Sequence, residues 1–114
     1  IYDTKFVVNK LFINLLKHLA ILIFMSIHHV NADELFNKGK EVFLGVGNCA
    51  ACHTLSNAGS NAMVGPNLNE IRPDIQRTIM AVKNGIGVMP AMEGILSNEE
   101  IEAVAHYVSI SAEQ

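Results

Sequence analysis

Only two cysteines occur in the chain, Cys49 and Cys52, and both fall within Gly47–Thr54, GNCAACHT, where His53 directly follows the second. Two thiols and an imidazole at this spacing have four chemical uses. A structural disulfide would employ the cysteines and leave His53 without a role. A thioredoxin-like redox pair belongs beside a strand of a parallel sheet, and no stretch of this chain alternates convincingly as a strand. Structural zinc usually takes four ligands. Cys49, Cys52 and His53 supply three, the adjacent Cys52 and His53 fit awkwardly around one tetrahedral ion, and His106 falls on a late helix, on a side read as solvated. The fourth use is covalent attachment of haem c, for which Cys-x-x-Cys-His is the signature.

The haem reading employs all three residues. Two thiols three positions apart can bond the two vinyl groups on one edge of a porphyrin, and the histidine that follows lies under the ring with a nitrogen facing iron. A six-coordinate iron then needs a second axial ligand, and the candidates are His106, Met63, Met80, Met89 and Met92. Met80 neighbours Ile79 on a helix and reads as packing. Met63 lies in a loop with nothing to support it, and His106 reads as solvated. Met89 and Met92 flank Pro90 in Gly87–Met92, GVMPAM. Proline can steady such a loop, and the small Gly87 and Ala91 let backbone approach a flat ring.

The elements that must position these residues read as helices joined by long loops. Asp33–Leu44 places Leu35, Phe36, Gly39 and Phe43 at helical spacing, and Gly45-Val46-Gly47 stops it. Thr54–Asn69 is rich in Ser, Asn and Gly, with no clear period. A second helix starts near Asp74 with the stripe Ile75, Ile79 and Val82, and Asn84-Gly85 ends it. Ser97 and Glu100 form a capping box for a last helix that carries Ile101, Val104, Ala105 and Val108 to about Ile110. Loops this long in a small domain need a reason, and a large bound group that they line would be one.

The N-terminal third is different in kind. Lys5, Lys10 and Lys17 lead into the apolar run Leu19–Ile27, and Val30-Asn31-Ala32 follows as a small-residue cleavage site, so residues 1–32 read as a secretory signal peptide. The competing reading is an uncleaved anchor: Leu11–Ile27 is at the short limit for a bilayer span and carries Asn14, Lys17 and His18. Because the first residue is Ile, the expectation is either an incomplete start or residues 1–7 lying upstream of a start at Val8. Removing residues 1–32 from 114 leaves 82, and since that segment holds three Lys and one Asp, the net charge goes from −3 to −5. An acidic chain of this size excludes nucleic acid as a natural partner. It is also too small for a generous core unaided, and it has no Trp.

Four segments in order carry a resemblance: Cys49-Ala50-Ala51-Cys52-His53, Gly65-Pro66-Asn67-Leu68, Asn84-Gly85-Ile86-Gly87-Val88-Met89-Pro90-Ala91-Met92, and Leu96-Ser97-Asn98-Glu99-Glu100-Ile101. Together they resemble a class I c-type cytochrome, of the small bacterial and photosynthetic monohaem kind (cytochrome c6/c553-like), over essentially all of residues 33–114. The resemblance implies an all-α cytochrome c fold, three main helices and long loops wrapped around one covalently bound haem c. It implies that Cys49 and Cys52 bond the haem, that His53 and Met89 are the axial iron ligands with Met92 as the alternative, and that the Pro66 carbonyl accepts the His53 ring N–H. Gly39 and Phe43 match first-helix positions that cross the last helix at Val104 and Tyr107. Relatives often have a Trp or Tyr near the haem propionates. Here Trp is absent, Tyr107 belongs to the crossing, and Arg72 is left outside the site.

The function so implied is a periplasmic single-electron carrier, not an enzyme. It would take electrons from a reductase or dehydrogenase and give them to an oxidase or reductase through small, transient contacts, with no small-molecule substrate. Alternative locations are the inner membrane, anchored and facing the periplasm, and a thylakoid lumen. Alternative functions are a cytochrome subunit of a periplasmic dehydrogenase complex, an open-site haem sensor or peroxidase, and a haem-free disulfide-bonded domain.

Overall fold

The computed structural model of the protein describes residues 4–26 and 31–114. Residues 1–30 and 31–114 are separate compact units. In the first, helix α1 (Thr4–Ser26) is long and apolar enough to cross a membrane. His18 meets its hydrogen-bonding need inside this helix, through a 2.7 Å bond between Nδ1 and the Asn14 carbonyl. Ile27 and Val30, at the expected cleavage region, lie outside the described residues, as do residues 1–3.

The second unit is built on three helices, as the sequence implies: α2 (Ala32–Leu44), α4 (Ile75–Asn84) and α5 (Asn98–Ser111). Between α2 and α4 lie the two-residue strands β1 (Thr54–Leu55) and β2 (Ser60–Asn61) and the single-turn helix α3 (Leu68–Ile71). The antiparallel β1–β2 pairing, Thr54 opposite Asn61 and Leu55 opposite Ser60, is not visible in the sequence because two residues cannot show an alternation. Leu55 is fully buried there, and its N–H donates to Ser60 Oγ at 3.1 Å.

Helix α5 is the hub. Its start is fixed by the expected capping box, with Glu100 N–H donating to Ser97 Oγ and Ser97 N–H to Glu100 Oε2. It buries Ile101, Ala103, Val104, Ala105, Tyr107, Val108 and Ser111, more than one stripe, because both α2 and α4 pack on it. Where α2 crosses it, Gly39 lies against the Ala103 carbonyl and Tyr107 Cβ. The expected Tyr107 is therefore met at Gly39, joined there by the Ala103 backbone, and the expected Val104 is buried in the same core as Phe43. Tyr107 is held edge-to-face between Phe36 (centroids 5.0 Å apart) and Phe43 (5.7 Å).

The irregular segment after His53 is bolted to α5 by two asparagines. Tyr107 Oη donates to Asn57 Oδ1, whose amide donates to Gln114 Oε1, both at 2.9 Å. Asn69 Oδ1 accepts from the N–H and hydroxyl of Ser56, and its amide reaches the carbonyls of Ser111 and Ala112. These bonds supply order that the composition of Thr54–Asn69 does not announce.

Burial pushes the Tyr107 phenol above its usual 10.0. The folded chain therefore keeps this proton where the unfolded chain loses it. The contribution to stability is complete below about pH 10 and is lost as pH rises towards the folded value. Urea midpoints of the haem protein are expected to fall from about pH 9 to about pH 11, and to fall less steeply in Tyr107→Phe, which starts about 1 kcal/mol less stable for want of the bond to Asn57. Parallel slopes in the two proteins would contradict this.

Candidate functional site

The chain leaves α2 through Gly45, whose N–H bonds the Glu41 carbonyl, and Gly47, whose N–H bonds the Val42 carbonyl. Asn48 then takes a left-handed conformation (φ 49°), which asparagine tolerates. This reversal starts a short 3₁₀ turn, Cys49–Ala51, closed by bonds from Cys52 N–H and His53 N–H to the Cys49 carbonyl. Cys49, Cys52 and His53 therefore share one tight turn.

Both cysteines are free thiols, each half-buried. Cys49 packs on the hydrophobic core, and desolvation, with a smaller push from Cys52, raises its thiol to about 11 against a backbone bond that lowers it. Among the described residues no group of three or more His, Cys, Asp or Glu is arranged to hold a metal ion, so the zinc alternative lacks a converging ligand set.

His53 Nδ1 lies 2.9 Å from the Pro66 carbonyl. A carbonyl can only accept, so Nδ1 is the donor in this bond and Nε2 is the ring nitrogen it leaves unused. Gly65 N–H donates to the Cys52 carbonyl at 2.7 Å, which ties the Gly65-Pro66 segment to the turn. Two unpaired thiols and an imidazole with a fixed tautomer are the donor set that a covalent haem requires, and the residues fit it.

Met89 arrives on another element. Helix α4 is capped by Asp74, whose Oδ1 accepts from Arg77 N–H, and it ends at Gly85 (φ 73°). Its last carbonyls are taken up by the loop beyond: Ala81 by Gly85 N–H, Val82 by Met92 N–H at 2.8 Å, and Lys83 by Glu93 N–H at 3.4 Å. Ile86 and Met89 exchange two backbone bonds, closing a turn over Gly87 and Val88. A Cβ on Gly85 would lie 2.6 Å from the Met89 carbonyl and 2.8 Å from Ala91 N, so the backbone around Met89 is stacked directly on the helix end. Met89 and Met92 are both half-buried against the core.

The other methionines and His106 differ from expectation in part. Met80 is not packing: it is 63% exposed, because its helix turns Thr78 and Val82 inward instead. Met63 is 90% exposed. His106 is not simply solvated; it is half-buried with Nδ1 enclosed. Arg72 stays outside, exposed and donating from Nε to the Asn69 carbonyl. Gly65 is a site residue that the sequence marks only by its place before Pro66: it lies against the His53 ring.

Residues 34–108 match the family described as cytochrome c oxidase, cbb3-type, subunit III. The chain is 37% identical to cytochrome c6 of Microcystis aeruginosa over 71 residues, 59% of this chain and 88% of that one. It is 40% identical to cytochrome c6 of Cladophora glomerata over 86 residues, 66% of this chain and 87% of that one. Its fold resembles the crystal structure of the c-type cytochrome SorU from Sinorhizobium meliloti, with a TM-score of 0.67 and 52% identity over 70% of this chain and 93% of that one. Since the family match spans more than half of the chain, the protein belongs to that family, and it is a small class I c-type cytochrome, an electron-transfer protein with covalently bound haem c.

Proposed function

We propose that the haem is bound through thioethers to Cys49 and Cys52, that His53 Nε2 and Met89 sulfur are its axial iron ligands, and that the protein shuttles single electrons in the periplasm after residues 1–32 are removed. The observation that supports this reading most is the Pro66 carbonyl on His53 Nδ1, which leaves Nε2 available to an iron on the same turn as the two cysteines. When bound, the haem supplies a one-electron ferric/ferrous couple.

The residues' own work is to keep that couple steady. Pro66 holds the imidazole tautomer and raises its basicity as a ligand. Met89 sits in a turn with two backbone bonds, braced on the end of α4, so a thioether there can be held through both oxidation states without rearrangement. A methionine sulfur sharing the iron with histidine would favour the reduced state. With both residues bound, no position would remain for a substrate. Met92 is the weaker candidate for the second ligand, since its backbone serves to cap α4. Redox proteins with small, transient contacts are the partners this chemistry suits.

The test is a tryptic digest of the protein matured with haem c attachment machinery. Trypsin spares Arg72 because Pro73 follows, so both cysteines fall in the peptide Glu41–Arg77. That peptide is expected to carry one haem and no alkylatable thiol. A disulfide mass, or two alkylated thiols, would remove the basis of the proposal.

A further inference from the structure

Gly65 lies against the His53 imidazole. A Cβ added to it would sit 2.6 Å from Cε1, 2.9 Å from Nδ1 and 3.1 Å from Nε2 of the ring. Four other glycines, Gly59, Gly85, Gly87 and Gly94, have positive φ, and Gly65 does not. Its backbone conformation is one that other residues adopt, so the demand for glycine comes from the space the ring occupies.

Neither side of this contact can withdraw freely. Gly65 N–H is bonded to the Cys52 carbonyl at 2.7 Å, and the next carbonyl, that of Pro66, takes the His53 Nδ1 proton at 2.9 Å. Pro66 stiffens the segment through its own fixed φ and the restriction it places on the residue before it. If Gly65 retreats, the bond to Cys52 lengthens. If the ring tilts, the bond to Pro66 lengthens.

We propose that Gly65 is a positioning residue for His53: its bare α-carbon is the flat stop that sets the imidazole plane, so that Nδ1–H stays on the Pro66 carbonyl and Nε2 is left for the iron. The proposal rests on His53 as an iron ligand and adds what orients it. Ordinary contact begins at 3.4 Å, so a methyl at Gly65 displaces ring or backbone by the difference from 2.6 Å, about 0.8 Å. A hydrogen bond of 2.9 Å does not survive a shift of that size with good geometry. Without it the imidazole is a poorer donor, and the ferric state loses more stabilisation than the ferrous state.

Matured Gly65→Ala protein is expected to hold one haem, to show a midpoint potential above wild type, and to exchange the His53 Nδ1 proton with solvent roughly tenfold faster by NMR. Gly59→Ala is the comparison. Its φ of 66° strains an alanine, but nothing lies within 4 Å of the added Cβ. It is expected to lower stability and leave potential and exchange unchanged. If Gly65→Ala does not retain haem, the wild-type ferrous protein decides, through a nuclear Overhauser contact between the Gly65 α-protons and the His53 Cε1 proton. Absence of that contact, an unmoved potential and exchange rate in Gly65→Ala, or equal shifts in Gly59→Ala, would overturn the proposal. Failure of the ligand reading itself looks different: the wild-type ferric protein would show no hyperfine-shifted His53 ring protons.

Discussion

Replacing Gly39 by valine is expected to destabilise the haem protein by about 4 kcal/mol or more, and Gly39→Ala by about 2 kcal/mol. Helix propensity alone predicts the opposite sign, since glycine inside a helix costs up to about 1 kcal/mol relative to alanine. The decisive fact is what the new Cβ meets. At Gly39 it would collide with the Ala103 carbonyl and come within 2.5 Å of Tyr107 Cβ. One partner is helix backbone and the other is the root of a ring clamped between Phe36 and Phe43, so neither can move aside alone. Helices α2 and α5 must separate, which loosens the edge-to-face packing of Tyr107 and the fully buried Phe43. Total stabilities of small domains are about 5–15 kcal/mol, so the valine variant should accumulate poorly. Urea denaturation followed by helix circular dichroism checks the series. An alanine variant as stable as wild type would show that the crossing tolerates a wider separation.

The second large effect is expected at Met89. Met89→Ala should abolish the weak far-red band that reports a methionine sulfur on ferric iron. It should also lower the midpoint potential by on the order of 0.1–0.3 V, within the ~0.8 V range that axial ligands span. The fold should change little, because the turn is closed by the backbone of Ile86 and Met89 and not by the side chain. Met92→Ala provides the contrast. Met92 packs half-buried on the core, so its truncation should cost about 1–2 kcal/mol of stability while the band and the potential stay. Loss of the band in Met92→Ala and its retention in Met89→Ala would exchange the two roles.

How much of this was legible in the sequence differs by element. The three long helices were readable because their signals are local: Ser97 and Glu100 cap α5, Asp74 caps α4 and Gly85 ends it. The turn holding Cys49, Cys52 and His53 was readable because the three residues lie within five positions of one another, although that spacing alone left four chemistries open. The Pro66 contact followed from the family resemblance, and the 2.9 Å bond to His53 Nδ1 agrees with it. What stayed hidden depends on contacts distant in sequence. Asn57 and Asn69 look like ordinary loop residues until Tyr107, Ser111, Ala112 and Gln114 are brought beside them. Ala103 opposite Gly39 depends on the exact helix crossing, which periodicity does not set to one residue. The exposure of Met80 had the same origin: a stripe drawn through Ile75, Ile79 and Val82 leaves its edges undefined, and α4 turned Thr78 inward instead. Gly65 was hidden because a glycine beside a proline suggests a turn, whereas its surroundings are an imidazole ring.

The central claim is a closed, six-coordinate haem that carries one electron. It is tested most directly by a potentiometric titration of the matured protein followed by visible absorption, with carbon monoxide added to the reduced form at the end. The account predicts a single one-electron transition, the far-red band in the oxidised state, and a reduced spectrum that carbon monoxide leaves unchanged. Rapid formation of a carbon monoxide complex in the wild-type protein would contradict it, because the iron would then have an open position and the chain would be suited to binding a ligand rather than to passing electrons.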